Sequence, residues 1–301
     1  MPSEIDSNEG ELDLFADDST VFEEGDSVDQ AMIKMSETAQ KVEGYSIRNS
    51  LTIHPGKCKV LILSKNPFIG PLHNIIKVNG KSVECVQSTK CLGVIIDHQL
   101  SWGDHISETC KNFHAKIKKL YHMRAMLKET LSTIYFQGIL PSAIYGILIW
   151  GGSNHLEDVN KLHIKAARFV MRIKKSVPDN DVLRRVKWKP IEYYYKRSIA
   201  CKVFKIYHGL SPKPLSRLLS KTNNRMNRND LKLELPKYKY VGYKKSFRYR
   251  AVNVWNLLPE ELRKKSYEQF RKDLSEKELN MITFGTLATG RALLNEDFYY
   301  Y

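Results

Sequence analysis

Basic residues are missing from the first 30 positions, which hold six Asp, five Glu and no Lys or Arg. Cysteine is scarce and unpaired in pattern: Cys58, Cys85, Cys91, Cys110 and Cys201 are odd in number and form no CxxC. That excludes the disulfide framework of small secreted domains. No basic and then apolar opening marks a secretory signal, so a reduced intracellular setting, nucleus or cytoplasm, is expected. Long hydrophobic runs are also lacking. The longest, Ile134 to Trp150, is interrupted by Gln137, Gly138, Pro141 and Ser142, so a buried helix is expected there and no membrane span. The nine His and five Cys fall in no zinc-ligand spacing, and no nucleophile motif points to a hydrolase.

What is present is positive charge. Against 33 acids stand 48 Lys and Arg, for a net charge of +15 in 301 residues. Because the first 30 residues carry −11, the other 271 carry +26. A polyanion, nucleic acid first, is the expected partner. The acidic head reads either as a carboxylate site for a metal or as a solvated tail.

Residues 1–10 read as a disordered acidic tail. In Glu11–Phe22 apolar side chains flank Asp17-Asp18, which predicts strand, tight turn, strand. Asp26 is expected to cap a helix stopping near Gly44, with Met32, Met35, Ala39 and Val42 inward. Val60–Leu63 is a short apolar run, and Asn79-Gly80 is a hairpin signal. Cys91–Asp97 reads as one buried strand. From Trp102 the pattern turns helical, with Ile106, Cys110, Phe113, Ile117 and Leu120 on one face. Further helices are expected near 129–148, broken at Pro141, near 155–175, and near 190–208 with Gly209 as the stop. Residues 221–250 hold ten Lys or Arg, two acids and four Tyr and read as a loop, followed by helices over 247–258 and 267–279. The fold class expected is α/β followed by mainly α.

Two basic features point to phosphate. Lys161, Lys165, Arg168, Arg172 and Lys175 step by four and three, about 100° around a helix from Leu162, Ala166, Phe169 and Ile173. One stripe can pack while the other meets a phosphate backbone, or is simply solvated. In 221–250, Tyr238, Tyr240 and Tyr243 stand among cations that include Arg248 and Arg250. Aromatics can stack on bases while cations hold phosphates; an ordinary basic surface has the same composition.

The most specific feature is Phe15-Ala16-Asp17-Asp18. Two adjacent carboxylates repel, and a hard divalent cation relieves that repulsion; a solvated Asp-Asp turn is the alternative. Then follow NSLTIHPGKCKVLIL at 49–63, KCLGVIIDHQLSWGDH at 90–105, Tyr145-Gly146 to Trp150-Gly151, Ala166 to Arg168, and Ser246-Phe247, Ala251 and Trp255-Asn256-Leu257-Leu258-Pro259. In this order, over about residues 10 to 279, they resemble the reverse transcriptases of jockey-like non-long-terminal-repeat retrotransposons.

The resemblance implies a partial polymerase palm over 11–100, a helical thumb over 101–210, a basic helical C-terminal region over 211–280 and a tail over 281–301. It implies RNA-directed DNA polymerisation with RNA template, DNA primer and Mg²⁺ in the complete enzyme. Asp17 and Asp18 match the metal-binding catalytic carboxylates. Lys57 matches a lysine beside the departing pyrophosphate, where a cation would offset developing charge; an ordinary loop lysine is the other reading. Leu92-Gly93 matches the support of the primer end, or is a core strand with a close-packed Gly.

His54, Cys58 and Cys91 depart from the family's Asn, Thr and Tyr. Two-metal transfer also needs a carboxylate from a second palm strand. The family's upstream palm Asp, fingers and endonuclease have no counterpart among the 14 residues before Phe15. Asp13 is expected to be too far from Asp17, since four extended residues span about 13 Å. The chain therefore reads as a polymerase fragment without a complete active site. A non-enzymatic nucleic-acid-binding derivative and an inactive remnant are the alternatives. A half palm is further expected to expose a sheet edge and apolar surface, making the chain poorly soluble alone. The sequence sets no oligomeric state.

Overall fold

The computed structural model describes residues 11–64, 76–221, 231–237, 241–275, 279–280 and 282. The chain divides into two compact units, residues 1–104 and 105–301.

The first unit is α/β. Strands β1 (Glu11–Phe15) and β2 (Asp18–Phe22) form an antiparallel hairpin pairing Phe15 with Asp18 and Asp13 with Thr20. Helix α1 (Val28–Arg48) follows. Its cap is Ser27, not Asp26: Ser27 Oγ accepts from the Gln30 amide at 3.1 Å, and Gln30 Oε1 reaches back to the Asp26 amide at 2.7 Å. This reciprocal pair satisfies donors at the helix start. Gly44 does not stop the helix, because its φ is not left-handed. A helical glycine costs only about 1 kcal/mol, and buried Ser46 carries the helix onward by bonding the Val42 carbonyl. The left-handed residue is Ser50, φ 55°.

Strand β3 (Lys59–Leu61) pairs in parallel with β6 (Glu84–Val86). Between them, β4 (Lys77–Val78) and β5 (Lys81–Ser82) close the expected hairpin at Asn79-Gly80. Both turn residues have positive φ, 50° and 70°, as a two-residue hairpin with native twist requires. Residues 88–97 do not form one strand. Leu92 and Gly93, φ 45° and 85°, make a second such turn between β7 (Ser88–Cys91) and β8 (Val94–Asp97). Met32, Ile76, Val78 and Val83 form the small core, flanked by Met35, Ala39, Cys58 and Val60. The unit exposes Leu14, Phe15, Phe22, Ile33, Ile47, Leu51 and Leu63.

The second unit is helical. Helix α2 (Gly103–Tyr121) buries Ile106, Phe113, Ile117 and Leu120 on its predicted face. The segment near 129–148 is α3 (Lys128–Ile134), a π-turn over Tyr135–Ile139 and α4 (Leu140–Ala143). Pro141 supplies no amide for an i→i−4 bond, and the helix widens just before it. After α5 (Ile147–Trp150) comes α6 (Leu156–Val170), which ends five residues before its pattern does. The short α7 (Asp179–Val186) was not anticipated. Helix α8 (Ile191–Tyr207) ends as expected, with Gly209 at φ 70°. Then follow α9 (Lys213–Ser216), α10 (Phe247–Leu257), α11 (Glu260–Arg263) and α12 (Tyr267–Asp273), the last ending before its predicted limit. Trp150, Tyr135, Tyr195, Phe204, Trp255 and Phe270 are its largest fully buried side chains.

Two motifs owe their residue types to this core. A side chain at Gly151 would run into the Tyr195 ring, and one at Gly152 would lie 2.7 Å from the Lys245 carbonyl oxygen. Asn256 accepts from the Leu233 amide at 2.9 Å and donates to the Leu233 carbonyl at 2.8 Å. Beside it, Trp255 Nε1 donates to the Leu231 carbonyl at 2.6 Å. Trp-Asn thus holds an extended segment as a neighbouring strand would.

Candidate functional site

The Asp-Asp pair sits on the tip of the β1–β2 hairpin. Ala16 and Asp17 form the two-residue turn and Asp18 opens β2; all three are exposed. Ala16 takes a left-handed φ of 53°, a conformation that costs a residue with a Cβ. Asp13 lies on β1, before the turn that carries Asp17. By register Asp13 stands opposite Thr20, next but one to Asp18 on the same face.

The second hairpin lies beside the first. Thr20 Oγ1 is 3.9 Å from Cys91 Sγ. Cys91 is the residue just before the Leu92-Gly93 turn, and Leu92 is exposed there. Strand β3 packs on β7. It is entered through the 3₁₀ turn Pro55–Lys57, where Lys57 is exposed and donates its amide to the His54 carbonyl at 3.0 Å. An open cleft of about 520 Å³ adjoins that turn, lined among others by His54, Cys58, Asn79 and Glu84. Asn79 braces its far side, its amide donating to Glu43 and its side-chain nitrogen to the Ile53 carbonyl at 2.7 Å. The first unit therefore gathers the elements that carry Asp17, Asp18, Lys57, Leu92 and Gly93.

A metal with hard oxygen preference suits Asp17 and Asp18 by donor type. Yet among the described residues no three His, Cys, Asp or Glu side chains converge as metal ligands. The two carboxylates alone do not make a complete metal site among the described residues.

Asp97, not among the expected site residues, has a structural role. Its Oδ1 accepts from the amides of Gln99 (3.1 Å) and Ser101 (3.0 Å), and its Oδ2 from that of Trp102 (2.7 Å). Burial pushes the Asp97 carboxyl up, but the Ser101, Trp102 and Gln99 amides outweigh it and hold the pKa below the usual carboxylate range. The carboxylate fixes a loop in which Leu100 and Trp102 have left-handed φ of 53° and 67°. The signal was the D-x-x-L-x-W spacing in residues 97–102.

In the second unit the basic stripe is cut short. Lys161 and Lys165 are exposed on α6, with Lys161 3.2 Å from Asp158. Arg168 is turned to its own chain. It binds Asp179 and the carbonyls of Lys174 and Val177. Arg172 lies past the helix end at φ 55° and donates to the Arg124 and Met126 carbonyls at 3.3 and 3.1 Å. Lys175 is exposed outside the helix. The stripe breaks because these backbone acceptors hold both guanidinium groups.

Arg250, expected on nucleic acid, is likewise turned inward. It donates to the carbonyls of Gly152 (3.0 Å) and Lys244 (3.2 Å) and to the Tyr195 hydroxyl (3.3 Å). Arg248 and Tyr243 are half-buried. Tyr238 and Tyr240 lie outside the described residues.

The chain is 24% identical over 178 residues to the RNA-directed DNA polymerase from mobile element jockey of Drosophila melanogaster, covering 57% of this chain and 19% of that protein. The chain is similar to the RNA-directed DNA polymerases of non-long-terminal-repeat elements. The jockey polymerase of Drosophila funebris is 25% identical over 170 residues, 53% of this chain and 18% of its own length. The probable polymerase of the Drosophila melanogaster X-element is 32% identical over 89 residues, 28% and 10%. The chain thus spans about a fifth of the jockey polymerases it matches. No family model and no solved structure matches it. Among the described residues no helix is long and apolar enough to cross a membrane.

Proposed function

We propose that this chain supplies the catalytic hairpin of a palm and the helical thumb of a retrotransposon RNA-directed DNA polymerase. The observation that carries the reading is the Thr20–Cys91 contact. It sets the Asp17-Asp18 hairpin against the Leu92-Gly93 hairpin, two motifs that the resemblance assigns to one active centre. Asp17 and Asp18 would bind Mg²⁺ together with a carboxylate from another segment, and Lys57 would face the leaving pyrophosphate. Lys161, Lys165 and Lys175 would meet the phosphates of template and primer, with Arg248 and the tyrosines near 238–243 beside them. The 301 residues by themselves are expected to bind nucleic acid without extending a primer.

The test is primer extension on an RNA template with Mg²⁺, next to binding measured over a range of salt. Salt-sensitive binding without extension is the expected result. Extension abolished by Asp17→Asn would show that the centre is complete after all. Absence of binding at low salt would remove the reading.

A further inference from the structure

The most exposed large apolar side chain among the described residues belongs to the helical unit. Leu127 is 71% exposed, between α2 and α3 in the helical unit. Met126 and Tyr121 beside it are 40% and 44% exposed. A lone exposed leucine needs no explanation; three such side chains within seven residues form a raised apolar tip.

The tip is built in advance. Arg172, from the end of α6, clasps the turn through the Arg124 and Met126 carbonyls. Tyr121 packs edge-on against Phe169, with ring centroids 4.3 Å apart. The turn closes on itself through the Met123 amide to the Leu120 carbonyl and the Met126 amide to the Met123 carbonyl, both 2.9 Å. Leu127 then caps α3 without a side-chain bond of its own.

The charge leading up to it in sequence has one sign, through Lys128. Lys118, Lys119 and Arg124 are exposed on the approach, Lys128 follows Leu127 directly, and Arg172 is exposed beneath. Residues 111–128 contain no acid, and Glu129 is the first beyond them. An apolar point with cations on its flanks complements a partner that is anionic outside and apolar inside. A stacked nucleic-acid duplex has that construction, with phosphates flanking a base stack that a Leu or Met side chain can part. A lipid surface is also anionic outside. However, a short turn with three apolar side chains lacks the long apolar helix face by which peripheral proteins hold a bilayer.

We infer that the Met126-Leu127 tip is a wedge that enters the base stack of a bound duplex, with Arg124 and Lys128 on the flanking phosphates. The inference rests on the nucleic-acid-binding reading above and deepens it by naming a contact to bases.

The experiment uses the full chain and an RNA–DNA hybrid carrying a fluorescent adenine analogue that brightens when unstacked. Binding should brighten it. Leu127→Ala should remove that rise and weaken binding about tenfold, the scale of one buried leucine side chain; Leu127→Phe should retain it. Arg124→Ala and Lys128→Ala should keep the rise while each lowers the salt slope by about one. Equal brightening and affinity in Leu127→Ala would overturn the wedge and leave nucleic-acid binding standing. A wild-type chain that binds no hybrid at low salt would instead overturn the underlying reading, and the wedge with it. Binding to anionic vesicles that is lost in Leu127→Ala, with the hybrid signal unchanged, would assign the tip to lipid and also overturn the proposal.

Discussion

Thr20 and Cys91, 71 positions apart, meet with oxygen and sulfur 3.9 Å from each other. Thr20 lies two residues after Asp18, and Cys91 opens the turn that exposes Leu92. Two hairpins that are separately local thereby become one assembly. Cys91 stands where the resembled family has Tyr. A thiol there fits against the small Thr20 hydroxyl, and a larger ring would need that space.

The contact can be trapped chemically. Thr20→Cys should oxidise to a disulfide with Cys91, since side-chain atoms this close suit a bridge. Peptide mapping without reductant should find the two segments linked. Failure of oxidant to link them would separate the hairpins and weaken the proposed active centre.

Asp97 is expected to be among the costlier single changes in the first unit. Asp97→Ala leaves the amides of Gln99, Ser101 and Trp102 without their acceptor, at a cost of about 3 kcal/mol. Its folded pKa is depressed. Its contribution is therefore present above the ordinary carboxylate pKa and lost as pH falls through the lowered folded value. Urea unfolding at neutral and at strongly acidic pH should show the variant's deficit shrinking in acid. A deficit unchanged by pH would mean that the carboxylate's charge does not matter.

His163 governs the opposite unit in a higher window. It is fully buried, and its Nε2 donates to the Lys189 carbonyl at 2.9 Å. Its Nδ1 is left to accept from the Tyr135 hydroxyl at 2.5 Å, so the neutral ring fits both partners. Burial pushes its pKa down to about 4, against the opposing pull of the Lys189 carbonyl. The unfolded chain binds the proton first, so stability should fall as pH drops from about 6.5 to about 4, by roughly 1.4 kcal/mol per unit. Buried His105, shifted down by desolvation, adds the same sign. Thermal melts across that range should show a gentler slope for His163→Gln. An identical slope would sink the assignment.

Arg250 and Arg248 should separate cleanly. Arg250→Ala removes bonds to Gly152, Lys244 and Tyr195 and should destabilise by about 2–3 kcal/mol, with the salt slope of nucleic-acid binding unchanged. Arg248→Ala should leave stability nearly unchanged and lower that slope by about one. The reverse pattern would return Arg250 to the binding surface.

These residues also show what could be read in the sequence. Asn79-Gly80 and Gly209 announced their turns because the required φ favours such residues locally. The Asp17-Asp18 hairpin was legible from the apolar strands that flank it, not from its left-handed residue, which is Ala16, and the ordered motifs carried the relationship that the sequence comparisons bear out. Arg168, Arg172 and Arg250 are held largely by backbone carbonyls, which leave no trace in residue type, with Asp179 and the Tyr195 hydroxyl as side-chain partners of Arg168 and Arg250. The helical stripe continues in sequence past Val170 while the chain has already turned. Thr20–Cys91 was hidden by a separation of 71 positions.

Ala16 puts a left-handed residue with a side chain at the hairpin tip. Glycine would occupy its left-handed φ of 53° with less strain, by about 1 kcal/mol. The turn's solvent-exposed methyl group is not there for packing. What it does is narrow the range of shapes the tip can sample, so that Asp17 and Asp18 keep one heading. Selection for folding alone would drift this site toward glycine. A lineage that retained alanine would record continuing demand on the direction of two charges, and one that lost it would date the end of that demand.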